Sequence, residues 1–248
     1  MMDRKKLIEL LLMVMLVICD YSAYQVFKIY SDYNSSSSEY KKLEEEYVVA
    51  QSDESNPGNE VFKVDHFGLK MLNSDYQGWL KSDGLDISLP VMRAQDNEYY
   101  LHRTFEGEYR FAGSLFIDYR FGSFYDPYVI VYGHHMKDGT MFANISNYKT
   151  REYYEEYPTF SIYIENRKMT YEIFSFFETD TDSPVYEYYI KDEDVAAQFK
   201  YLKENSYYET GTTYYNGDRI IVLSTCVYSE GEERWVLCAR LNNIETIN

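Results

Sequence analysis

The first stretch of the chain is apolar at every position from Leu7 to Cys19 except Glu9, and the basic run Arg4-Lys5-Lys6 stands directly before it. Such a block is too long and too uniform for one face of a soluble helix. Leu7 to Phe27 has the length needed to cross a bilayer, with Glu9, Asp20 and Gln25 placed near the interfaces. Polarity then rises sharply through Asn34 and the serines Ser35 to Ser38. Glu39 to Tyr47 is charged and suits a helix, and Gln51 to Glu60, with Pro57-Gly58, reads as a turn-rich boundary. Beyond it, Phe62, His66, Leu69 and Leu72 fall at helical spacing, which predicts a short helix over Val61 to Leu72. From there most apolar positions come in short runs of Val, Ile, Tyr and Phe between Gly, Asp and Asn, the pattern of strands. Runs of this kind are Ile87–Val91, Tyr128–Tyr132, Phe160–Glu165, Met169–Phe177, Arg219–Cys226 and Arg234–Leu241. Pro90 suits an edge or a bulge in the first of them. Two helices interrupt the series. One covers Ser146 to Tyr157 and stops at Pro158; the other covers Asp192 to Asn205, with Val195, Phe199 and Leu202 on one face. Many short strands with few helices predict a mainly β domain built as a closed or nearly closed barrel.

The apolar leader admits three readings. A cleaved signal peptide needs small residues at its cleavage site, which Ser22-Ala23-Tyr24 supplies poorly. Leu16-Val17-Ile18-Cys19 resembles a lipoprotein signal, but Ile18 is bulky where a small residue belongs. An uncleaved anchor asks only for length, and the basic residues in front keep that end cytoplasmic. That reading divides the chain into a cytoplasmic tail 1–6, an anchor 7–27, a polar linker and helical spacer 28–60, and an extracellular domain 61–248.

Composition removes other possibilities. Of 248 residues, 24 are Lys or Arg and 41 Asp or Glu, a formal net charge of −17. Nucleic-acid binding rests on clustered basic residues, so no nucleic-acid partner is expected. With 45% apolar and 18% aromatic residues the chain is not intrinsically disordered. Three cysteines cannot staple a disulfide scaffold, and no Cys-x-x-Cys pair or Cys/His cluster suggests a structural zinc.

The three thiols differ by position. Cys19 lies in the leader and Cys238 in mid-strand, where a thiol behaves as a small hydrophobe. Cys226 ends the run Ile220-Ile221-Val222-Leu223-Ser224-Thr225. A reactive thiol needs a rim position and a nearby cation, so Cys226 is either that thiol or an inert strand end. Val227 to Glu233 is long enough for a hairpin, and an antiparallel return brings Arg234 alongside Cys226. Arg240 has the same parity but lies about 20 Å along, at about 3.3 Å per residue. A cysteine nucleophile also needs an acid/base, commonly histidine. Of His66, His102, His134 and His135, the last two stand together where a strand ends beside Gly133, ahead of the turn Lys137-Asp138-Gly139.

At this point the motifs resemble a known family. Tyr-Gly-His-His-Met-Lys-Asp-Gly-Thr-Met-Phe at 132–142, Leu-Ser-Thr-Cys at 223–226 and the following Arg234 strand are similar to the sortases, cysteine transpeptidases of Gram-positive cell surfaces. Gly78-Trp79-Leu80, Leu89-Pro90-Val91 and Asp96-Asn97-Glu98-Tyr99-Tyr100-Leu101 match class B in order, as does a helix inserted before the cysteine strand. The resemblance covers about Val61 to Leu241. It implies a barrel of about eight strands with N-terminal helices, Cys226 as nucleophile, His134 as acid/base because it directly follows the glycine, and Arg234 as stabiliser of the substrate carbonyl. It also implies a substrate groove using Asn97, Leu101, Tyr132 and Ser224, with Thr181, Tyr189 and Ile190 on the wall before the inserted helix. Tyr132 serves barrel packing as readily as the groove.

The implied reaction cleaves secreted proteins at a C-terminal sorting signal of the Asn-Pro-x-Thr-(Asn/Gly) kind. A thioacyl intermediate then passes to an amine of peptidoglycan or of its lipid-linked precursor. No metal or cofactor is implied. Two other classes stay open: a secreted cysteine peptidase that passes the acyl group to water, and a catalytically silent peptide-binding domain.

Overall fold

The computed structural model describes residues 4–52, 60–189, 191–226, 231 and 233–247, and for Leu7, Gln51, Ser52, Glu60, Val61, Asp192 and Cys226 the backbone only. Ile190 and the Pro57-Gly58 turn lie outside the described residues.

The N-terminal half-block forms one helix, α1 (Arg4–Tyr47), of 44 residues. The serine run is helical too, its hydroxyls satisfied on carbonyls of their own helix. Ser35 Oγ donates to the Ser31 carbonyl at 2.8 Å and Ser36 Oγ to that of Asp32 at 3.1 Å. Large apolar residues from Ile8 to Ile29 are exposed, and the helix is long and apolar enough to cross a membrane. Its last turns behave otherwise: Tyr40 and Leu43 are buried in the core of the domain.

A hairpin follows, β1 (Val48–Ser52) paired with β2 (Glu60–Val64). The single helix expected over 61–72 is therefore a strand and then a shorter helix, α2 (His66–Leu72). Asp65 sets that boundary, since its carboxylate accepts from the Gly68 N–H at 2.9 Å and caps the first turn. Only Leu69 of α2 is buried.

Eight further strands close a barrel: β3 (Tyr76–Ser82), β4 (Ile87–Met92), β5 (Leu115–Ile117), β6 (Tyr128–Tyr132), β7 (Thr159–Ile164), β8 (Arg167–Thr179), β9 (Ile220–Cys226) and β10 (Arg234–Thr246). Around the barrel they run β10-β8-β7-β3-β4-β5-β6-β9, and β9 pairs back to β10. The β4–β5 and β6–β9 pairs are parallel and the rest antiparallel. Pro90 lies opposite Trp79, and β5 pairs only from Val91 onward, so the missing N–H costs no ladder bond. β9 lies between β6 and β10, and every residue from Ile220 to Thr225 is buried, which is why that run is continuously apolar through Leu223.

The helix expected over 146–157 splits at Thr150. A 3-10 segment, Ala143–Lys149, precedes α3 (Arg151–Glu156), and the Thr150 side chain caps α3 by accepting from Tyr153 N. The inserted helix α4 (Asp192–Glu204) buries Val195, Phe199 and Leu202 as its periodicity predicts, with Phe199 4.4 Å from Phe174 of β8. Each such side chain contributes about 1.5–3 kcal/mol of hydrophobic stabilisation.

Candidate active site

β6 and β9 run parallel, so their C-terminal ends meet at one rim, with Tyr132 paired to Ser224. Because β10 returns antiparallel, Arg234 at its start is paired directly with Cys226 at the end of β9. Arg240, six residues on, pairs with Ile220 at the far end and is held by Glu172 at 2.9 Å and Asp218 at 3.2 Å. The near cation is Arg234. Its Nη1 donates to the carbonyls of Gly231 at 2.8 Å and Glu233 at 3.0 Å, which holds the guanidinium against the backbone just before β10.

A cleft of about 320 Å³ opens at this rim and is lined by Asn97, Leu101, Tyr132, His134, Thr181, Ser224 and Arg234 among others. Seven residues singled out from the sequence are thus brought together. Tyr189 is not among them: its hydroxyl donates to the Pro184 carbonyl at 2.9 Å, and its ring stands edge-on to Tyr128 at 5.3 Å. The 3-10 turn Pro184–Tyr186, capped by the Ser183 hydroxyl, instead directs Tyr186 to the cleft. Phe116 and Thr225 also line it, and the Thr225 hydroxyl is buried without a hydrogen-bond partner among the described residues.

Gly133 explains where the histidines go. A Cβ there would come within 2.5 Å of Leu115 and 2.7 Å of Phe142, so only glycine lets the chain leave β6 so close to the barrel wall. His134 then enters the cleft, while His135 turns outward and meets Trp235 edge-on at 5.1 Å. His134 Nε2 lies 2.7 Å from the Leu101 carbonyl. A carbonyl only accepts, so Nε2 carries the hydrogen of the neutral ring and Nδ1 is the nitrogen that takes up a proton. Burial holds His134 below the ordinary imidazole range; the Leu101 bond works against that and a charge on His102 adds to it.

Behind the lining residue Tyr132 stands a buried carboxylate that the motifs do not point to. Asp118 is fully buried and accepts from Arg120 Nε at 2.9 Å, Arg120 Nη2 at 2.6 Å and the Tyr132 hydroxyl at 3.0 Å. Burial alone would raise the Asp118 carboxyl, but the bonds and charge of Arg120 outweigh it and hold it low. Arg120 Nη2 also donates to the Tyr186 carbonyl at 2.8 Å, and the Tyr186 hydroxyl lies 2.9 Å from Ser224 Oγ. One network therefore joins Tyr132, Tyr186 and Ser224, all of which line the cleft. Cys238 is fully buried, and burial pushes its thiol far above the ordinary range. Among the described residues, no group of three His, Cys, Asp or Glu is placed to hold a metal ion.

Residues 83–242, more than half of the chain, match the model of the sortase domain. The chain belongs to the sortase family. Sortases are cysteine transpeptidases, and this one falls in class B. It is 39% identical to sortase B of Listeria monocytogenes over 164 residues, which are 64% of this chain and 65% of that one, a little under two thirds of the relative. It is 28% identical to sortase B of Staphylococcus aureus over 239 residues, 95% of each chain. The X-ray structure of Clostridium perfringens sortase B superposes with a TM-score of 0.67 at 33% identity, covering 72% of this chain and all of that one. The sortase barrel and the helix inserted before the cysteine strand are both present here, as the motifs predict.

Proposed function

We propose that this sortase cleaves secreted proteins at a C-terminal Asn-Pro-x-Thr-(Asn/Gly) signal and joins them to an amine of the cell wall. The observation that carries the reading is the meeting of three positions at one rim. Cys226 and Arg234 are paired across β9 and β10, and Arg234 lines the same cleft as His134. Paired Cα atoms of antiparallel strands lie about 4.5–5.5 Å apart, close enough for a guanidinium to serve chemistry at the thiol.

In the first half-reaction the Cys226 thiolate attacks the Thr carbonyl carbon, and Arg234 donates to the oxygen that gains charge. The C–N bond of the scissile peptide breaks, and the protonated His134 gives its proton to the departing amine. In the second, neutral His134 takes a proton from the incoming amine as it attacks the thioester, and the Cys226 sulfur leaves. Asn97, Leu101, Tyr132, Thr181, Ser224 and Tyr186 form the groove for the signal, Tyr189 supporting its wall from behind.

Residues 7–27 anchor the enzyme in the cytoplasmic membrane, with 1–6 on the cytoplasmic side and the barrel outside. The bare apolar surface of α1 over that stretch and the basic residues before it support this topology.

The test is cleavage of fluorogenic signal peptides by the wild type and by C226A, H134A and R234A, with an added amine and product masses recorded. Loss of turnover in all three variants and amine-linked product in the wild type are expected. Turnover near wild type in C226A overturns the proposal, and hydrolysed product alone reassigns the enzyme as a peptidase.

A further inference from the structure

The imidazole of His134 is held on more than one side. Leu101 accepts from Nε2, the His102 ring stacks at 5.4 Å and 25°, and the Phe111 ring lies at 5.4 Å and 33°. His102 and Phe111 are themselves 6.0 Å apart, so three rings close on one another. Leu101, His102 and Phe111 belong to one loop, residues 100–114, cinched at its base where Ser114 N donates to the Tyr100 carbonyl and Arg110 N to that of His102. Gly113 takes a left-handed φ of 57° to make that return.

What seats Phe111 is not the barrel. Its N–H donates to Asp32 Oδ2 of α1 at 3.0 Å, the neighbouring Arg110 reaches Asp32 Oδ1 at 3.5 Å, and the Tyr33 ring stacks on Phe111 at 6.4 Å. Further along α1, Glu39 accepts from Glu106 N, and the Tyr40 hydroxyl bonds Gly113 and Ser114. The helix grips this loop at its middle and along its C-terminal end. Phe111 is 45% exposed, so its ring adds little to the core; its contacts are with α1 on one side and the histidine pair on the other.

We propose that Phe111, seated by Asp32 and Tyr33 of α1, is a positioning residue for His134, so that the helix emerging from the apolar span sets how the acid/base is presented. This rests on the role given to His134 above. A loosened imidazole still allows the signal peptide to bind, because the groove residues are untouched, but proton transfer demands geometry held to a fraction of an ångström. The effect therefore falls on kcat and spares KM.

The experiment uses the full chain in detergent micelles with a panel of Asn-Pro-x-Thr-Asn and Asn-Pro-x-Thr-Gly fluorogenic peptides. F111A, and D32A with Y33A in one chain, are expected to lower kcat about 10- to 100-fold with KM and thermal unfolding unchanged. F111Y, which keeps a ring, and D32N, which keeps an acceptor for the Phe111 N–H, should each recover most of the loss. Wild-type kcat in F111A overturns the inference; loss in F111A without loss in the D32A/Y33A chain overturns the part given to α1. A KM effect, or failure of the conservative variants to recover activity, assigns Phe111 a structural role and overturns it as well. Turnover persisting in H134A sinks the reading of the site instead, which keeps the two failures distinct.

Discussion

Cys226 and Arg234 are direct partners across the β9–β10 ladder, and the Arg234 guanidinium is tied by one nitrogen to the carbonyls of Gly231 and Glu233. The remaining N–H groups are the ones available to a substrate oxygen. R234A should lower kcat about 100- to 1000-fold, the loss that follows removal of one oxyanion donor. R234K keeps the charge but not the fork that can serve the Gly231 and Glu233 carbonyls and a substrate together, so it should recover only part of that loss. Single-turnover thioacylation rates check both. Equal rates for R234K and wild type would assign the residue a charge role alone.

The long barrel strands were legible because their sequences carry their own answer. Ile220 to Leu223 is buried on both faces and reads as an unbroken apolar run, and the return to Arg234 then follows from hairpin length. β5 was not legible: three residues, Leu115–Ile117, are too few for any period, although all three are buried. β3 was missed because Gly78 and Lys81 interrupt its pattern; Trp79 is nonetheless fully buried, with its N–H on Ser88 Oγ at 2.9 Å. In the site, Gly133-His134 and Cys226 announce themselves by type and place. Tyr186 does not, since it is one of 29 tyrosines and only the turn at Pro184 decides that it, rather than Tyr189, reaches the cleft. Asp118 was hidden for a related reason: a carboxylate just past a three-residue strand looks like a surface turn until Arg120 and Tyr132 are seen converging on it.

Tyr186 links the loop wall to the cysteine strand through its hydroxyl on Ser224. Y186F removes that bond and keeps the ring stacked on Tyr132. A loss of about 1 kcal/mol of stability, the net worth of such a bond, is expected in urea unfolding. Peptide KM should rise while kcat holds, because the wall shapes the groove and not the reacting atoms. A fall in kcat at constant KM would contradict this.

D118N should destabilise the fold and make it less sensitive to acid. The carboxylate is fully buried but Arg120 is about a third exposed, 32% by side chain, so the cost is about 2–3 kcal/mol rather than the ~3–5 of a fully enclosed pair. Asp118 has a folded-state value below its ordinary 3.8. The stability it supplies is therefore complete above about 3.8 and is lost as pH falls through the lowered value. Stability curves of wild type and D118N should differ at neutral pH and converge in strong acid; a gap that persists below the pH at which NMR shows Asp118 protonated would show that packing, not charge, is responsible.

Cys238 and Cys226 should part company toward alkylating agents. Burial pushes the Cys238 thiol up and closes off access, so it stays unmodified in the native state. Iodoacetamide followed by peptide mass spectrometry should find Cys226 modified, with loss of activity, and Cys19 modified in micelles only where the detergent admits the reagent. Labelling of Cys238 without unfolding would require an opening that the buried β10 wall does not offer.

The titration of His134 bears on how the thiol is activated. Burial depresses it below the ordinary 6.5, and a charge on His102 deepens the effect. In C226A, with no thiolate nearby, histidine NMR should therefore place His134 below 6.5. His102→Phe keeps a ring on the imidazole but removes the second charge, so the value should move up and yet stay below 6.5, burial being the larger cause. The sign for stability follows: a depressed imidazole adds nothing above 6.5 and weakens the fold as pH falls through that range, because the unfolded chain then binds the proton more readily. For the proposed mechanism, a depressed imidazole favours the neutral resting form. In that mechanism the ring takes the Cys226 proton only as the thiolate forms, and the imidazolium so created serves as the acid for the leaving amine. A value above 7 in C226A would instead favour a resting imidazolium, against the neutral ring from which the proposed mechanism starts.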